Sequence, residues 1–481
     1  MPILPSLNPG FLLGNNFVGV FKTCNSNTGG KKMRRIAIFV FCLGVVLAPI
    51  TGWGAGFQIY VEQGAAALGM GAAFVAKVDN PTAVFFNPAG ITQLKGTQMT
   101  LNYTTALLDM KLKGARNPFT TDPTEPAHED MNDHWAQIPS FYITHQINKK
   151  WFLGFGVFSP YGTMTDWNNS WVGRYYSDKI DLKTYNFNPT IAYKINDKLS
   201  IAVGLDYVYS DVTIDKSISY SAVAAQAVNP AFGAYAYQRN FDLDTDIDGD
   251  ADGWGFNLGL LYQPTKNWSF GVAYRSNIYL DFDGNADYFR HEGVYQLDGM
   301  IHMAGGPPNL SQILFPHSDI SSDLRLPDTL AFGIMNRSIK NLTIEVDAMW
   351  TKWDTYDSLD MKYDNILGHK NFTIRNEKDW DNVWAIRVGA EYQINPCWVA
   401  RAGYIYDQSP APNRTRAPEL ADADRNDVSV GVGYTTPNKK LSIDAAYLIS
   451  FFTDEHSYLS DLKGKYDSTG HVVSVAFTYR F

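Results

Sequence analysis

The chain has 481 residues, 45% of them hydrophobic, and a formal net charge of −9. That acidic balance argues against nucleic acid, which asks for clustered positive charge, and a mean hydropathy of −0.21 excludes a bundle of membrane-spanning helices. A soluble protein of this length would hold two or three domains, whereas a large β-barrel uses it in one.

The first element is a leader. The long apolar run Ile36 to Ile50 follows Lys31, Lys32, Arg34 and Arg35 and precedes the small residues of Gly52-Trp-Gly-Ala-Gly56. A basic start, a short apolar stretch and a small-residue exit describe a secretory signal peptide, too short to span as a helix. We read residues 1–54 as that signal, with Met33 as initiator and cleavage near Gly54/Ala55. Its removal takes five basic residues and no acidic one, leaving a net charge of −14. Cys24 and Cys42 leave with it, so only Cys397 remains, and neither an intramolecular disulfide nor a cysteine zinc site is expected.

Residues 55–96 come next and do not alternate. Gly64 to Phe74 is small and tolerant of helix, while Asp79-Asn-Pro-Thr and Asn87-Pro-Ala-Gly-Ile-Thr92 read as turns. A segment this apolar is poorly suited to a solvated tail, so we expect a small plug seated inside a barrel.

From residue 97 to 481 the chain alternates with period two, one apolar face and one polar or small. The clearest strands put outward Leu199, Ile201, Val203, Leu205 and Tyr207; then Trp268, Phe270, Val272 and Tyr274, continuing to Ile278 and Leu280. Next come Leu342, Ile344, Val346, Ala348 and Trp350, and Trp384, Ile386, Val388, Ala390 and Tyr392. Weaker cases near residues 100, 139, 151, 185, 254, 330, 398, 428 and 441, with the terminal Val473, Val475, Phe477, Tyr479 and Phe481, bring the total to fourteen. Arg275, Glu345, Asp347, Arg387, Glu391, Arg401 and Asp444 all take the inward face, where water or one another can satisfy them. On the lipid face an Arg or Lys at the midplane would cost roughly 2–4 kcal/mol.

Turns near 147–150, 194–198, 264–267, 337–341, 393–397 and 435–440 are short. Segments near 113–134, 161–181, 215–252, 284–326, 355–381, 408–427 and 451–471 are long. Short turns on one rim and long loops on the other, with Trp and Tyr at the strand ends, mark an outer-membrane barrel. The predicted class is therefore all-β: a 14-stranded antiparallel transmembrane barrel over 97–481, plugged by residues 55–96, in a bacterial outer membrane. Terminal Phe481 is the expected signal to the barrel-assembly machinery, and lipopolysaccharide the surrounding lipid.

Several motifs fall short of their chemistry. Asp244-Thr-Asp-Ile-Asp-Gly-Asp-Ala-Asp252 resembles the first half of a calcium loop but has Gly255 where the bidentate Glu belongs, and reads as a solvated loop rim. Gly69-Met-Gly71 lacks the third glycine of a dinucleotide loop. Neither H-E-x-x-H nor G-x-S-x-G occurs. No metal or cofactor is expected.

Further sequence features carry a resemblance. Ala55-Gly-Phe-Gln58, followed by Asn87-Pro-Ala-Gly-Ile-Thr92, resembles the amino terminus of the FadL/TodX family of outer-membrane long-chain fatty-acid transporters. Ser159-Pro-Tyr-Gly162, Trp254-Gly-Phe256, Tyr274-Arg-Ser276, Asp281-Phe-Asp-Gly-Asn285, Leu326-Pro-Asp328 and Asp407-Gln-Ser-Pro-Ala-Pro412 continue it in order. The resemblance implies a hatch in a fourteen-stranded barrel that takes up fatty acids or other hydrophobic compounds. They would be captured among the outer loops, pass to a site touching the hatch, and leave sideways at a kinked third strand. Asn87, Pro88 and Ala89 inherit the hatch turn beside that kink, and Phe57 the residue lining the tight site. Lys216, and more loosely Arg375, match a basic residue facing the cargo carboxylate; the alternative for either is an exposed charge at a loop base. The third strand is Trp151 to Pro160, and Gly154, Gly156 and Pro160 independently suit a bend, since Gly weakens a ladder and Pro removes a donor; Gly162, from the matching Ser159-Pro-Tyr-Gly162 motif, is assigned with them to the lateral opening. The expected protein is a monomeric transporter and not an enzyme. The rival readings are a barrel lipase or protease, with a site hidden among loop residues such as His291 or His317, and a general porin.

Overall fold

Strand β1, Thr97–Arg116, pairs along its length with the last strand, β14, Lys463–Arg480, from Gln98↔Arg480 to Arg116↔Lys463. That pairing closes the sheet on itself and leaves no exposed edge in lipid. The structure is a computed structural model that describes residues 56–116, 127–453, 455–459 and 462–481; the expected signal peptide lies outside these residues.

Between the closing strands run β2 (Trp135–Gln146), β3 (Trp151–Phe158, resumed over Gly162–Asp166), β4 (Lys179–Lys194), β5 (Leu199–Ser219) and β6 (Asp242–Tyr262). They are followed by β7 (Trp268–Arg275, resumed over Ile278–Arg290), β8 (Ser318–Leu326, resumed over Thr329–Asn336) and β9 (Leu342–Thr351, extended by Ser358–Ile366). Then come β10 (His369–Glu377, resumed over Val383–Gln393), β11 (Trp398–Asp407), β12 (Arg425–Thr435) and β13 (Leu441–Phe452). The result is a closed antiparallel barrel of 14 strands. Ile201, Val203, Leu205, Phe332, Ile344, Val346, Ile386, Val388, Val430 and Phe477 are exposed on its outer face, an apolar band suited to lipid.

Two details depart from the sequence reading. The parity of β7 flips after Arg275: Ile278 and Leu280 point inward and are buried, and Tyr279 faces out. Ser276 and Asn277 form a bulge, in which Asp328 accepts from the Asn277 N–H at 3.1 Å, its Nδ2 at 3.0 Å and the Tyr274 hydroxyl at 2.6 Å. One extra residue reverses every side chain beyond it. Secondly, several strands outrun their apolar stretches. Asp244 to Asp252, read as a loop rim, is part of β6 and pairs with β5 and β7, because backbone pairing continues above the lipid where side chains no longer need to be greasy. Among the described residues no group of three or more acidic, His or Cys side chains is arranged to hold a metal.

Candidate functional site: a capped cavity above a broken strand

The stretch Phe57–Leu94 is buried throughout except at Tyr60, Asp79, Asn80 and Gln93, and it packs on inward-facing barrel residues. Helix is scarce here: α1 covers Ala65–Leu68 and α2 Ala83–Phe86. Gly71 and Ala72 bend the backbone into positive φ at 61° and 52°. The strands supply glycines where this backbone meets the wall. A Cβ on Gly271 would collide with the Val75 carbonyl, one on Gly403 with Gly71 N, and one on Gly154 would meet Val84 at 2.8 Å.

The inward carboxylates of β9 have a different partner from the one expected. Asp347 accepts from the backbone N–H groups of Phe74 and Val75 at 2.7 and 3.0 Å. Glu345 accepts from those of Ala76 and Lys77 at 2.6 and 2.9 Å. Four consecutive donors with no helix or strand of their own are thereby satisfied in a buried place, where an orphan would cost about 1–3 kcal/mol each. Glu391, Arg401 and Asp444 pair with charged side chains. Lys77 lies 3.3 Å from Glu391, and Arg401 holds Glu391 and Asp444, each at 2.7 Å.

Strand β3 is interrupted at Ser159-Pro160-Tyr161. Up to Val157 it pairs with β2, through Phe141↔Val157 to Gln146↔Phe152. Beyond the break, Gly162–Asp166 pairs with β4. Among the described residues, Trp135–Ser140 of β2 has no strand partner on that side, which leaves a window in the wall. Its upper edge is closed by Asn132 N–H donating to Asp166 O at 2.8 Å and by His134 Nε2 at 2.6 Å from Asp166 Oδ2. The amino-terminal segment supplies the bonds that the break lacks. Ile59 N–H donates to Pro160 O at 2.8 Å, Gly162 N–H to Phe57 O at 2.8 Å, and Gln63 Nε2 to Ser159 O at 2.5 Å.

On the long-loop side of this junction lies a cavity with about 700 Å³ of empty space, part of it open to solvent. It is lined by Phe57, Leu182, Ile247, Phe282, Ile320, Met361 and other largely apolar residues. Phe57 is 2% exposed and sits in an aromatic cage, with ring centroids 4.7 Å from Trp353, 5.8 Å from Tyr356, 5.8 Å from Trp380 and 6.0 Å from Tyr161. A second cavity, about 440 Å³, lies toward the short turns and is lined by Pro88, Pro160, Tyr161 and Arg275 among others.

The sequence-predicted residues divide among these places. Phe57 lines the larger cavity, and Gly162 meets its carbonyl. Pro88 and Pro160 face the smaller cavity together. Asn87 is anchored on β6, donating through Nδ2 to Leu260 O at 3.0 Å and to Val75 O at 2.9 Å, with Ala89 N–H returning to its Oδ1 at 3.2 Å. Gly154 and Gly156 belong to the unbroken part of β3, where Gly154 admits Val84. Lys216, partly buried near the top of β5, has Glu419 and Lys378 as the charged groups acting on it. Arg375 lies elsewhere, half-exposed and paired with Asp357 at 2.8 Å and Asp360 at 3.4 Å. Sequence reasoning missed Ile59 and Gln63, which bracket the break. It also missed Trp353, Trp380, Lys378 and Glu419, whose loops carry no periodic signal.

A closed fourteen-stranded antiparallel barrel with an apolar outer band and long loops on one rim is a bacterial outer-membrane protein. Within that class the chain belongs to the family described as outer membrane protein transport protein (OMPP1/FadL/TodX), whose model matches residues 45–481. It is 25% identical over 448 residues to the long-chain fatty acid transport protein of Salmonella typhi, an alignment spanning 91% of this chain and 97% of that one. A crystal structure of a Pseudomonas aeruginosa FadL homologue superposes with a TM-score of 0.74 at 24% identity, covering 88% of this chain and 99% of that chain. The Ralstonia pickettii toluene transporter TbuX superposes at 0.61 and 18% identity, over 87% and 98%; at these identities the structural likeness speaks for the fold.

Proposed function

We propose that this protein takes long-chain fatty acids or other hydrophobic compounds across the outer membrane, with residues 55–96 as hatch and the window beside β3 as lateral exit. One observation carries the reading. Phe57 is part of the cavity lining through its ring and holds the broken strand through its carbonyl, so one movement of this residue alters both. Burying some fifteen methylenes at ~0.8 kcal/mol each gains up to roughly 12 kcal/mol, less the ordering costs. A ligand held so tightly leaves only if its site is dismantled. Release sideways delivers the cargo to the apolar phase that it prefers. A through-pore is disfavoured because Phe57–Leu94 packs on the inward face. Lys216 is the candidate partner of a cargo carboxylate.

The test is a reversible lock. Gln58 and Tyr161 face each other in an isolated antiparallel bridge, so Gln58→Cys with Tyr161→Cys offers a disulfide between hatch and wall. In the oxidised form, labelled oleate should still bind while uptake into cells stops; reduction should restore uptake. Normal uptake by the oxidised form would end the proposal.

A further inference from the structure

Three charged side chains lie within one another's electrostatic reach at the loop end of the larger cavity, two of them in contact. Lys378 Nζ lies 2.6 Å from Glu419 Oε1, and the Lys378 side chain is 5% exposed. Glu419 Oε2 is buried without a hydrogen-bond partner. Lys216, the third, feels both of them and has no carboxylate within ion-pairing distance among the described residues. One carboxylate thus serves two lysines, and burial pulls the Lys216 ammonium down from its ordinary pKa, as expected where a charge lacks a counter-ion of its own. The cluster adjoins the cavity on two sides, since Leu420 and Tyr356 line it and Tyr356 lies close enough to sense both Lys378 and Glu419. The short turn Pro418–Leu420 that carries Glu419 also packs against Gly162–Asp166 of β3, and Trp167 Nε1 donates to Pro418 O at 3.5 Å.

We infer that Glu419 is a built-in stand-in for the cargo's carboxylate, occupying one of two lysines until a carboxylate-ended chain displaces it. The inference rests on the reading that cargo occupies this cavity, and it narrows the preferred cargo to anionic amphiphiles over neutral hydrocarbons. The incoming carboxylate takes Lys216 and competes for Lys378. Glu419 swings out with Leu420, which unroofs the cavity and loosens the contact with the upper part of β3. A neutral ligand has no means of displacing Glu419 and must enter with the turn in place.

The experiment compares oleate with its neutral methyl ester, binding to purified full-length protein in detergent, for wild type, Glu419→Gln, Glu419→Asp and Lys216→Met. Retention of heat-modifiable gel mobility reports that each barrel is folded. Glu419→Gln should raise oleate affinity about tenfold, the worth of one charge-assisted contact no longer competed for, and leave the ester unchanged. Glu419→Asp, one methylene shorter, should give a smaller rise, and Lys216→Met a loss for oleate alone. If wild type binds oleate but the Glu419 variants bind it no better, the stand-in is refuted while the transport reading survives. Equal binding of oleate and ester by wild type also refutes it. If wild type binds neither ligand, the cavity reading itself fails, and this inference with it.

Discussion

Glu62 shows what a single side chain can reveal about how the hatch is held. It is 0% exposed, no side chain among the described residues hydrogen-bonds its carboxylate, and burial pushes its pKa up to about 8, opposed by the nearby backbone N–H of Glu62 itself and by Arg425. The carboxyl is therefore protonated in the docked segment below that value, whereas an undocked, solvated Glu ionises near its ordinary 4.5. A raised folded-state pKa means stability that is complete below about 4.5 and is lost as pH climbs through about 8. Hydrogen exchange of the amides around Val61–Gln63 should be slower at pH 5 than at pH 9, after correction for the intrinsic rate, and Glu62→Gln should flatten the difference. A pH-dependence that persists in the variant would assign it elsewhere. Gly271 makes a second, steric case. Its missing Cβ is the space that the Val75 carbonyl occupies, so Gly271→Ala should weaken docking by about 1–3 kcal/mol, the usual cost of overpacking. Limited proteolysis would report this as faster cleavage within residues 57–94 with the barrel intact.

At the scale of the element, β9 and β3 do opposite things to the same segment. Strand β9 clamps Phe74–Lys77 through Glu345 and Asp347, while β3 is itself completed by Phe57, Ile59 and Gln63. The amino-terminal segment is thus fastened in its middle and engaged at its start with an interrupted strand. Glu345→Ala orphans the N–H groups of Ala76 and Lys77 and should cost roughly 1–3 kcal/mol for each. Faster exchange at Phe74–Lys77 with unchanged exchange along β9 would show that the clamp, and not the strand, has failed. Elements of this kind set the limit of what the sequence discloses. Alternation exposed the outward faces of β5, β9, β10 and β14 because lipid acts on every second residue. The bulge at Ser276–Asn277 adds one residue without any compositional mark, so Ile278 and Leu280 were assigned to the wrong face. The inward carboxylates were visible, but their partners are backbone N–H groups, which every sequence has. Lys378 and Glu419 meet only because two long loops fold onto one cavity.

Taken whole, the molecule is a closed fourteen-stranded barrel that we propose to be plugged by its own amino-terminal segment, and that makes a prediction about conduction. A fourteen-stranded barrel is wider than the eight-stranded kind that side chains alone can fill. Here Phe57–Leu94 packs on the inward face, with Tyr60, Phe85 and Phe86 in mutual ring contact, Phe74 against Phe86, and Arg387 stacked 4.4 Å from the Tyr60 ring centroid. The wall does not depend on that packing. Its strand ladders close through β1 and β14, and its inward Glu345, Asp347, Arg387 and Glu391 are groups that water solvates well. Deleting residues 57–94 should therefore leave a folded, heat-modifiable barrel and turn it into a steady ion-conducting pore in planar bilayers, while the full-length protein remains closed or opens only briefly. A full-length protein conducting as steadily as the deletion would show that the segment does not seal the lumen, and the transporter reading would give way to a porin.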